Sequence, residues 1–133
     1  MEAKLKHLEM IQGVINRMAG NSFLLKGWTV VLVSALFALA AKDSNKAYVY
    51  LAYFPSIVFW ILDGYYLWQE KLYRKLYDEV RLMDEKRIDF SMNTSALKKK
   101  VHPWSDVIVS PTLIIFHGAI IFTIVIVMFL SIA

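Results

Sequence analysis

The apolar residues of this chain lie in three long blocks instead of on one face of short amphipathic elements. The blocks cover residues 27–41, 47–68 and 107–133, and the last block contains no formally charged residue. A helix of about 20 residues crosses the apolar core of a bilayer, at about 1.5 Å per residue. The first block reaches this length when residues 23–26 are included. The pattern therefore predicts an all-α integral membrane protein with three transmembrane helices.

An amphipathic helix is predicted before the first block. Residues 3–19 carry apolar side chains at helical spacing, namely Leu5, Leu8, Ile11, Ile15 and Met18. Such a helix lies in the headgroup plane or packs on another helix. Gly20, Asn21 and Ser22 interrupt the pattern, and Ser22 is suited to cap the first span. Lys26, at the edge of that span, is long enough to reach the lipid headgroups.

The second span is expected to continue as a helix beyond the bilayer, because residues 66–85 contain no Gly or Pro. Opposite charges four residues apart favour this helix. An apolar stripe runs along it, formed by Leu72, Leu76, Val80 and Met83. The stripe needs a cover, which the N-terminal helix or the same stripe of another subunit can supply. We therefore expect this face to hold a homo-oligomer together.

These segments predict one structural unit with four parts. Residues 1–20 form the amphipathic helix, 22–68 a two-span hairpin, 69–105 a helical segment with a basic loop, and 107–133 the third transmembrane helix. Residues 88–97 read as a turn and helix cap, with a ligand-contact loop as the alternative.

Basic residues are distributed unevenly among these parts. Thirteen Lys and Arg residues precede the first span or separate the second from the third, two lie in the hairpin link, and none follows residue 106. Positive residues stay on the cytosolic side, so we expect a cytosolic N-terminus and an external C-terminus. Lys98, Lys99 and Lys100 are expected to bind anionic headgroups. This distribution explains the net charge of +4 without a nucleic-acid partner.

Two ionisable residues lie inside the apolar blocks, Asp63 in the second and His117 in the third. Counted from Trp68 and Pro111 at the interface, each lies about 7–9 Å deep. The two side chains can therefore pair, within one subunit or across two. Such a pair suits a proton-responsive gate or a pore lining. The alternative is that each reaches a headgroup or a backbone carbonyl.

Small residues and a proline predict how the spans pack and bend. Pro55 removes a helical donor and is expected to kink the second span, with Ser56 available to compensate. Gly64 allows another helix to approach closely. Gly27, Ser34 and Ala38 share one face of the first span and form a packing signal for helices in membranes.

No enzyme constellation is present in the sequence. The chain has no cysteine, its three histidines lack metal-ligand spacing, and it has no glycine-rich phosphate loop. We therefore predict no catalytic residue, no metal and no cofactor.

Residues 1–90 resemble a known class of small bacterial membrane proteins. An amphipathic helix leads into a tight two-span hairpin whose second helix continues into a charged segment, and residues 21–28 read NSFLLKGW. This arrangement is similar to SLATT-type effector domains, which have two spans, so the third span is an addition. The resemblance implies a bacterial inner membrane, a role in antiviral defence, a pore that damages the membrane, and a cytosolic protein or nucleotide as trigger.

Three functions fit these observations. The first is an oligomeric membrane effector that forms or gates a pore. The second is a small constitutive ion channel or transporter subunit. The third is a membrane anchor or scaffold for a cytosolic partner.

Overall fold

The computed structural model describes residues 1–132, with side chains to residue 130, and it is 85% helical. Five α-helices follow one another: α1 Glu2–Asp43, α2 Ala47–Leu51, α3 Tyr53–Leu82, α4 Trp104–Ile108 and α5 Pro111–Ile132. Three stretches are long and apolar enough to cross a membrane, in α1, in α2 with α3, and in α5. The predictions of an all-α fold and of three spans are confirmed. Ala133, the end of the predicted third span, lies outside the described residues.

The first helix contains both the predicted amphipathic helix and the predicted first span, which the sequence analysis treats as separate. α1 runs for 42 residues without a break, so the expected interruption at residues 20–22 is wrong. Gly20 costs the helix only about 1 kcal/mol, and the extensive packing of α1 on α3 offsets this cost. Ser22 lies inside α1 and therefore caps no helix, and its hydroxyl donates a hydrogen bond to Asp63 on α3.

The hairpin between the first two spans is closed by a left-handed residue. Ser44 has φ 52°, and Asn45 accepts a hydrogen bond from the amide of Ala47 at 3.0 Å. After α2, the helix is interrupted at Ala52, and Pro55 falls in the first turn of α3. A proline there costs no internal helical hydrogen bond, which explains why α3 begins at this point. The Ser56 hydroxyl donates to the carbonyl of Ala52 at 2.7 Å.

The N-terminal half of α1 packs on the C-terminal half of α3. We call these two half-helices, with the loop over residues 83–94, the helical layer. Its buried core consists of Ile11, Ile15, Val80 and Ile88. Leu72 and Val80 of the predicted stripe are buried within the chain, Leu76 is half-buried, and Met83 is 41% exposed. The expectation that this stripe joins subunits is therefore wrong for Leu72 and Val80, because the chain covers its own stripe.

Residues 88–97 form the predicted turns, and Ile88 and Met92 pack against the two half-helices of the layer. The side chains of Asp89, Ser91 and Asn93 each accept a hydrogen bond from the amide two residues ahead, at 2.9–3.1 Å. A 3₁₀ helix over Ser95–Lys100 follows. Phe90 has φ 58°, and its ring makes a T-shaped contact with the ring of His7, with the centroids 5.4 Å apart.

The third span begins later than the apolar block. Residues Trp104–Ile108 form the short helix α4, and α5 starts at Pro111. A proline favours the first helical position and disfavours helix in the residue before it, which separates the two helices. α4 lies against α3, where a Cβ added to Gly64 would lie 2.6 Å from Ile108 Cγ1. The close approach expected at Gly64 is thus made by α4.

The spans share an apolar core at the end of the molecule opposite the helical layer. Val33, Val49, Ala52 and Ile124 are its buried members, contributed by α1, α2, α5 and the Ala52 link. Gly27, Ser34 and Ala38 are exposed on the other face of α1, and nothing lies within 4 Å of a Cβ added to Gly27. The predicted small-residue face therefore packs against no other helix within the described part of this chain.

Candidate functional site

A fully buried carboxylate lies where the three spans meet. The side chain of Asp63 is 0% exposed, and its Oδ2 accepts a hydrogen bond from Lys26 Nζ at 2.6 Å. The Ser22 hydroxyl donates to Asp63 Oδ1. His117 Nε2 lies 2.7 Å from Asp63 Oδ2. We call Ser22, Lys26, Asp63 and His117 the Asp63 cluster.

Each long helix contributes to the Asp63 cluster. Ser22 and Lys26 are four residues apart on α1, which places them on one face of the helix. Lys26 Nζ also donates to Ser22 Oγ at 2.9 Å, so the two side chains act as one polar edge. Asp63 comes from α3 and His117 from α5. The cluster therefore ties three spans together at one level.

The imidazole of His117 is held between aromatic rings. It stacks on Trp60 with the centroids 5.7 Å apart and 8° between the planes, and Phe116 meets it edge-on at 5.0 Å. Trp60 Nε1 donates to the carbonyl of Ile108 at 2.8 Å, which fixes the indole. A carboxylate only accepts, so we assign the proton to His117 Nε2. Nδ1 is buried and has no hydrogen-bond partner among the described residues.

The charges of the cluster balance while His117 is neutral. One carboxylate faces one ammonium, and the Asp63 side chain is fully buried while that of Lys26 is 21% exposed. The neutral imidazole adds a hydrogen-bond donor to Asp63 without adding charge.

Lys26 takes a different place from the one expected. Its ammonium turns toward Asp63 instead of the headgroups, and it lies 5.9 Å from the ring centre of Phe116. A buried carboxylate at hydrogen-bond distance attracts the ammonium more strongly than a screened headgroup does. Lys26 and Ser22 are the members that sequence reasoning missed. The sequence offers one signal for them. Ser22 and Lys26 are four residues apart at the start of the first span, and the second span carries a single carboxylate, Asp63.

The other predicted site residues lie apart from the cluster. Lys98 Nζ lies 5.7 Å above the ring of Trp68, and Lys100 Nζ pairs with Glu79 Oε1 at 2.6 Å. Lys99 is exposed. Pro55 is two turns from Asp63 along α3. Within residues 1–132 no three His, Asp or Glu side chains are grouped closely enough to hold a metal ion.

The fold defines a multi-pass membrane protein, with three candidate transmembrane helices. No family of known proteins, no curated protein sequence and no solved structure matches this chain. The interpretation of the site therefore depends on its own geometry.

Proposed function

We propose that this protein is an oligomeric membrane effector whose pore is held closed by the Asp63 cluster. In this proposal the chain lies in a bacterial inner membrane, with its N-terminus in the cytosol and its C-terminus outside. A cytosolic protein or nucleotide acts on the helical layer and releases the cluster, as in the antiviral defence role that the SLATT resemblance implies. The observation that carries the proposal is a fully buried carboxylate with partners on all three spans.

The energetics of buried charge support a switch. A buried ion pair is often no more stabilising than apolar residues of the same volume, so stability alone does not require one. Ionisable residues inside a membrane are costly and usually functional. Removing one partner leaves an unpaired buried charge, so the contacts of Asp63 are made or lost together. Loss of these contacts frees α1 and α5 from α3 at the level of the cluster.

A conducting path requires more than one copy of the chain. Three helices packed around side chains do not enclose a water-filled channel. The exposed face of α1 with Gly27, Ser34 and Ala38 allows a second helix to approach closely, which suits contact between copies. This face is the location that we propose for the oligomer contact, in place of the stripe on α3.

Inducible expression with a membrane-potential dye tests the proposal. Asp63→Asn keeps the side-chain volume but removes the charge that holds Lys26, and we expect depolarisation without any trigger. Glu70→Gln is the matched control, because Glu70 is also buried on α3 but pairs with Arg74 of the same helix, at 2.8 Å. This control is expected to keep the membrane potential.

The result that opposes the proposal is an intact membrane potential in cells that hold membrane-inserted Asp63→Asn at the level of the wild-type protein.

The constitutive channel predicts a different pattern. It gives ion flux from the wild-type protein without toxicity, and Asp63→Asn removes the dependence of that flux on pH.

A second candidate function, a membrane scaffold, is favoured by the helical layer. α1 and α3 cover each other there, so the layer needs no second subunit to bury its core. Its surface offers a shallow groove lined by Met10, Gly13, Val14, Arg17, Tyr73 and Met92. A scaffold predicts that one cytosolic protein co-purifies through this layer and that Asp63→Asn leaves both that complex and the membrane potential unchanged.

A further inference from the structure

A groove runs along the surface of the helical layer, and none of its residues belongs to the Asp63 cluster. It consists of two adjoining depressions, of about 530 Å³ and about 310 Å³, which share Met10. One wall is a stripe of α1 from Ala3 to Arg17 with its members three or four residues apart, so the groove follows α1 for about 21 Å. The other wall is formed by Tyr73, Phe90 and Met92. We call this surface the α1 groove, and its length suits another helix lying alongside α1.

The apolar side chains of the α1 groove are not covered by the chain itself. Met10 is 61% exposed and Phe90 is 44% exposed, although the helical layer has a buried core of its own. Phe90 also has φ 58°, a left-handed conformation that is unfavourable for so large a side chain. This backbone holds its ring against His7 at the edge of the groove. Large apolar residues kept at the surface in this way indicate contact with another molecule.

The charge at the α1 groove is positive. Lys6 and Arg17 both line it, and neither makes an ion pair among the described residues. No described Asp or Glu lines either depression, since Glu9 and Asp89 lie outside the lining. The two cations are eleven residues apart on one helix, about 16 Å along its axis. A partner that carries carboxylates at this spacing complements them.

Lipid chains do not cover the α1 groove. α1 is one unbroken helix, and Met10 precedes Gly27, where the first apolar block begins, by 17 residues. This separation is about 25 Å along the helix axis, so the centre of the groove lies well outside the apolar core of a bilayer. The occupant therefore comes from the aqueous side.

A second copy of the chain is disfavoured by charge. Copies inserted in the same direction hold their α1 helices parallel around a symmetry axis along the membrane normal. Two α1 grooves that face each other in this way bring Lys6 against Lys6 and Arg17 against Arg17. This repulsion opposes the pairing, whereas an acidic partner is attracted.

We infer that the α1 groove binds an acidic amphipathic helix of a cytosolic protein, with its apolar face on Met10 and Phe90 and its carboxylates near Lys6 and Arg17. The inference rests on the proposed function for one point, that a cytosolic partner acts on the helical layer. It adds the place of contact and the chemistry of the partner. The contact lies on the same helix as Ser22 and Lys26 of the Asp63 cluster.

Two designed peptides, added to the full chain in phosphatidylcholine nanodiscs, test the chemistry of the partner. Both form the same leucine-faced helix of about 15 residues, long enough for the groove, and their flanking positions carry Glu in one and Lys in the other. By fluorescence anisotropy, we expect the Glu peptide to bind roughly tenfold more tightly than the Lys peptide, since two attractive pairs become repulsive.

Variants of the groove locate the binding. We expect Arg17→Gln to weaken the Glu peptide roughly threefold, the effect of one exposed ion pair, and Met10→Ala to weaken it at least about fivefold, as the loss of a central apolar anchor does. Lys86→Gln and Leu5→Ala are the matched controls, because they remove an exposed cation and an exposed apolar side chain of the same layer outside the groove. Both controls are expected to bind the Glu peptide as the wild-type protein does. Far-ultraviolet circular dichroism establishes that the helices of each variant are intact.

A spin label at residue 10 tests the other occupants. The chain has no cysteine, so Met10→Cys gives a single labelling site. In the protein without peptide, we expect a water-soluble relaxation agent to reach this label. Relaxation by oxygen dissolved in the bilayer would assign the groove to lipid, and dipolar broadening between labels would assign it to a second copy. Either result overturns the inference.

The inference is also overturned if the Glu peptide does not bind, if both peptides bind equally, or if the controls lose as much binding as Arg17→Gln and Met10→Ala. These measurements do not involve ion flux, so they are separate from the test of the pore. Binding of the Glu peptide at the groove, together with an intact membrane potential for Asp63→Asn, contradicts the pore and supports the groove. Depolarisation by Asp63→Asn without any peptide binding does the reverse.

Discussion

The chemistry of this chain concentrates on one side chain, Asp63. Its carboxylate has partners on α1 and α5, and it has no exposed surface. The sequence predicted that Asp63 and His117 lie at the same depth, because their distances from the interface markers are equal within one residue. It did not predict Ser22 and Lys26, because a serine and a lysine near the end of a span usually face water or headgroups. Lys26 turns toward Asp63 because the packing of α1 on α3 brings this buried carboxylate within its reach.

A double-mutant cycle tests the energetic role of the Lys26 pair. Lys26→Met leaves Asp63 without its cation, and we expect a loss of about 3–5 kcal/mol in the free energy of unfolding. Lys26→Met combined with Asp63→Leu is expected to recover part of this loss, since no charge stays unpaired while the Ser22 and His117 donors lose their acceptor. Unfolding by denaturant in micelles measures both values. Equal destabilisation of the single and double variants would contradict the pairing.

At the scale of elements, the sequence predicted the three spanning helices but not all of the positions where the helices begin and end. Apolar blocks of span length predicted three spans, because only a helix satisfies its backbone inside a bilayer. The continuity of α1 through Gly20 depends on packing against α3, and no local residue signal reveals it. The separation of α4 from α5 was readable at Pro111, whose effect on Ser110 is local.

The contact between α4 and α3 depends on the missing side chain of Gly64. A methyl group there would lie 2.6 Å from Ile108 Cγ1 and 3.4 Å from Trp104 Nε1. We expect Gly64→Ala to cost about 1–3 kcal/mol through this overlap and to alter the tryptophan fluorescence of the Trp104 region. Gly27→Ala is the control, since its Cβ meets nothing within 4 Å and alanine favours a helix. A neutral Gly64→Ala would show that α4 does not pack at this position.

The apolar stripe of α3 is covered within the chain, which gives a second prediction at the scale of elements. Leu72 is fully buried within the chain, whereas Met83 is 41% exposed. Leu72→Ala is expected to cost about 2–5 kcal/mol, and Met83→Ala much less, at any protein concentration. Chemical unfolding at two protein concentrations checks this. If the loss of unfolding free energy in Leu72→Ala grows as the protein is diluted, the stripe lies in a contact between subunits instead.

At the scale of the whole molecule, the chain is a bundle of three spans joined to a helical layer by two long helices, α1 and α3. Both helices continue from the layer into the spans, so a displacement of the layer reaches the Asp63 cluster without crossing a loop. The sequence predicted the extension of α3 beyond the span, because residues 66–85 contain no Gly or Pro. It did not predict that α1 is continuous. The continuity of both helices provides the physical connection that the proposed gate needs.

The most direct measurement is ion flux through liposomes that contain the purified protein. We predict that wild-type protein and Glu70→Gln keep the vesicles sealed, while Asp63→Asn releases the ion gradient. We also predict that the release rises more steeply than in proportion to the number of protein copies per vesicle, as an oligomeric pore requires. Sealed vesicles with folded, inserted Asp63→Asn at every protein density would contradict the claim that the Asp63 cluster holds a pore closed.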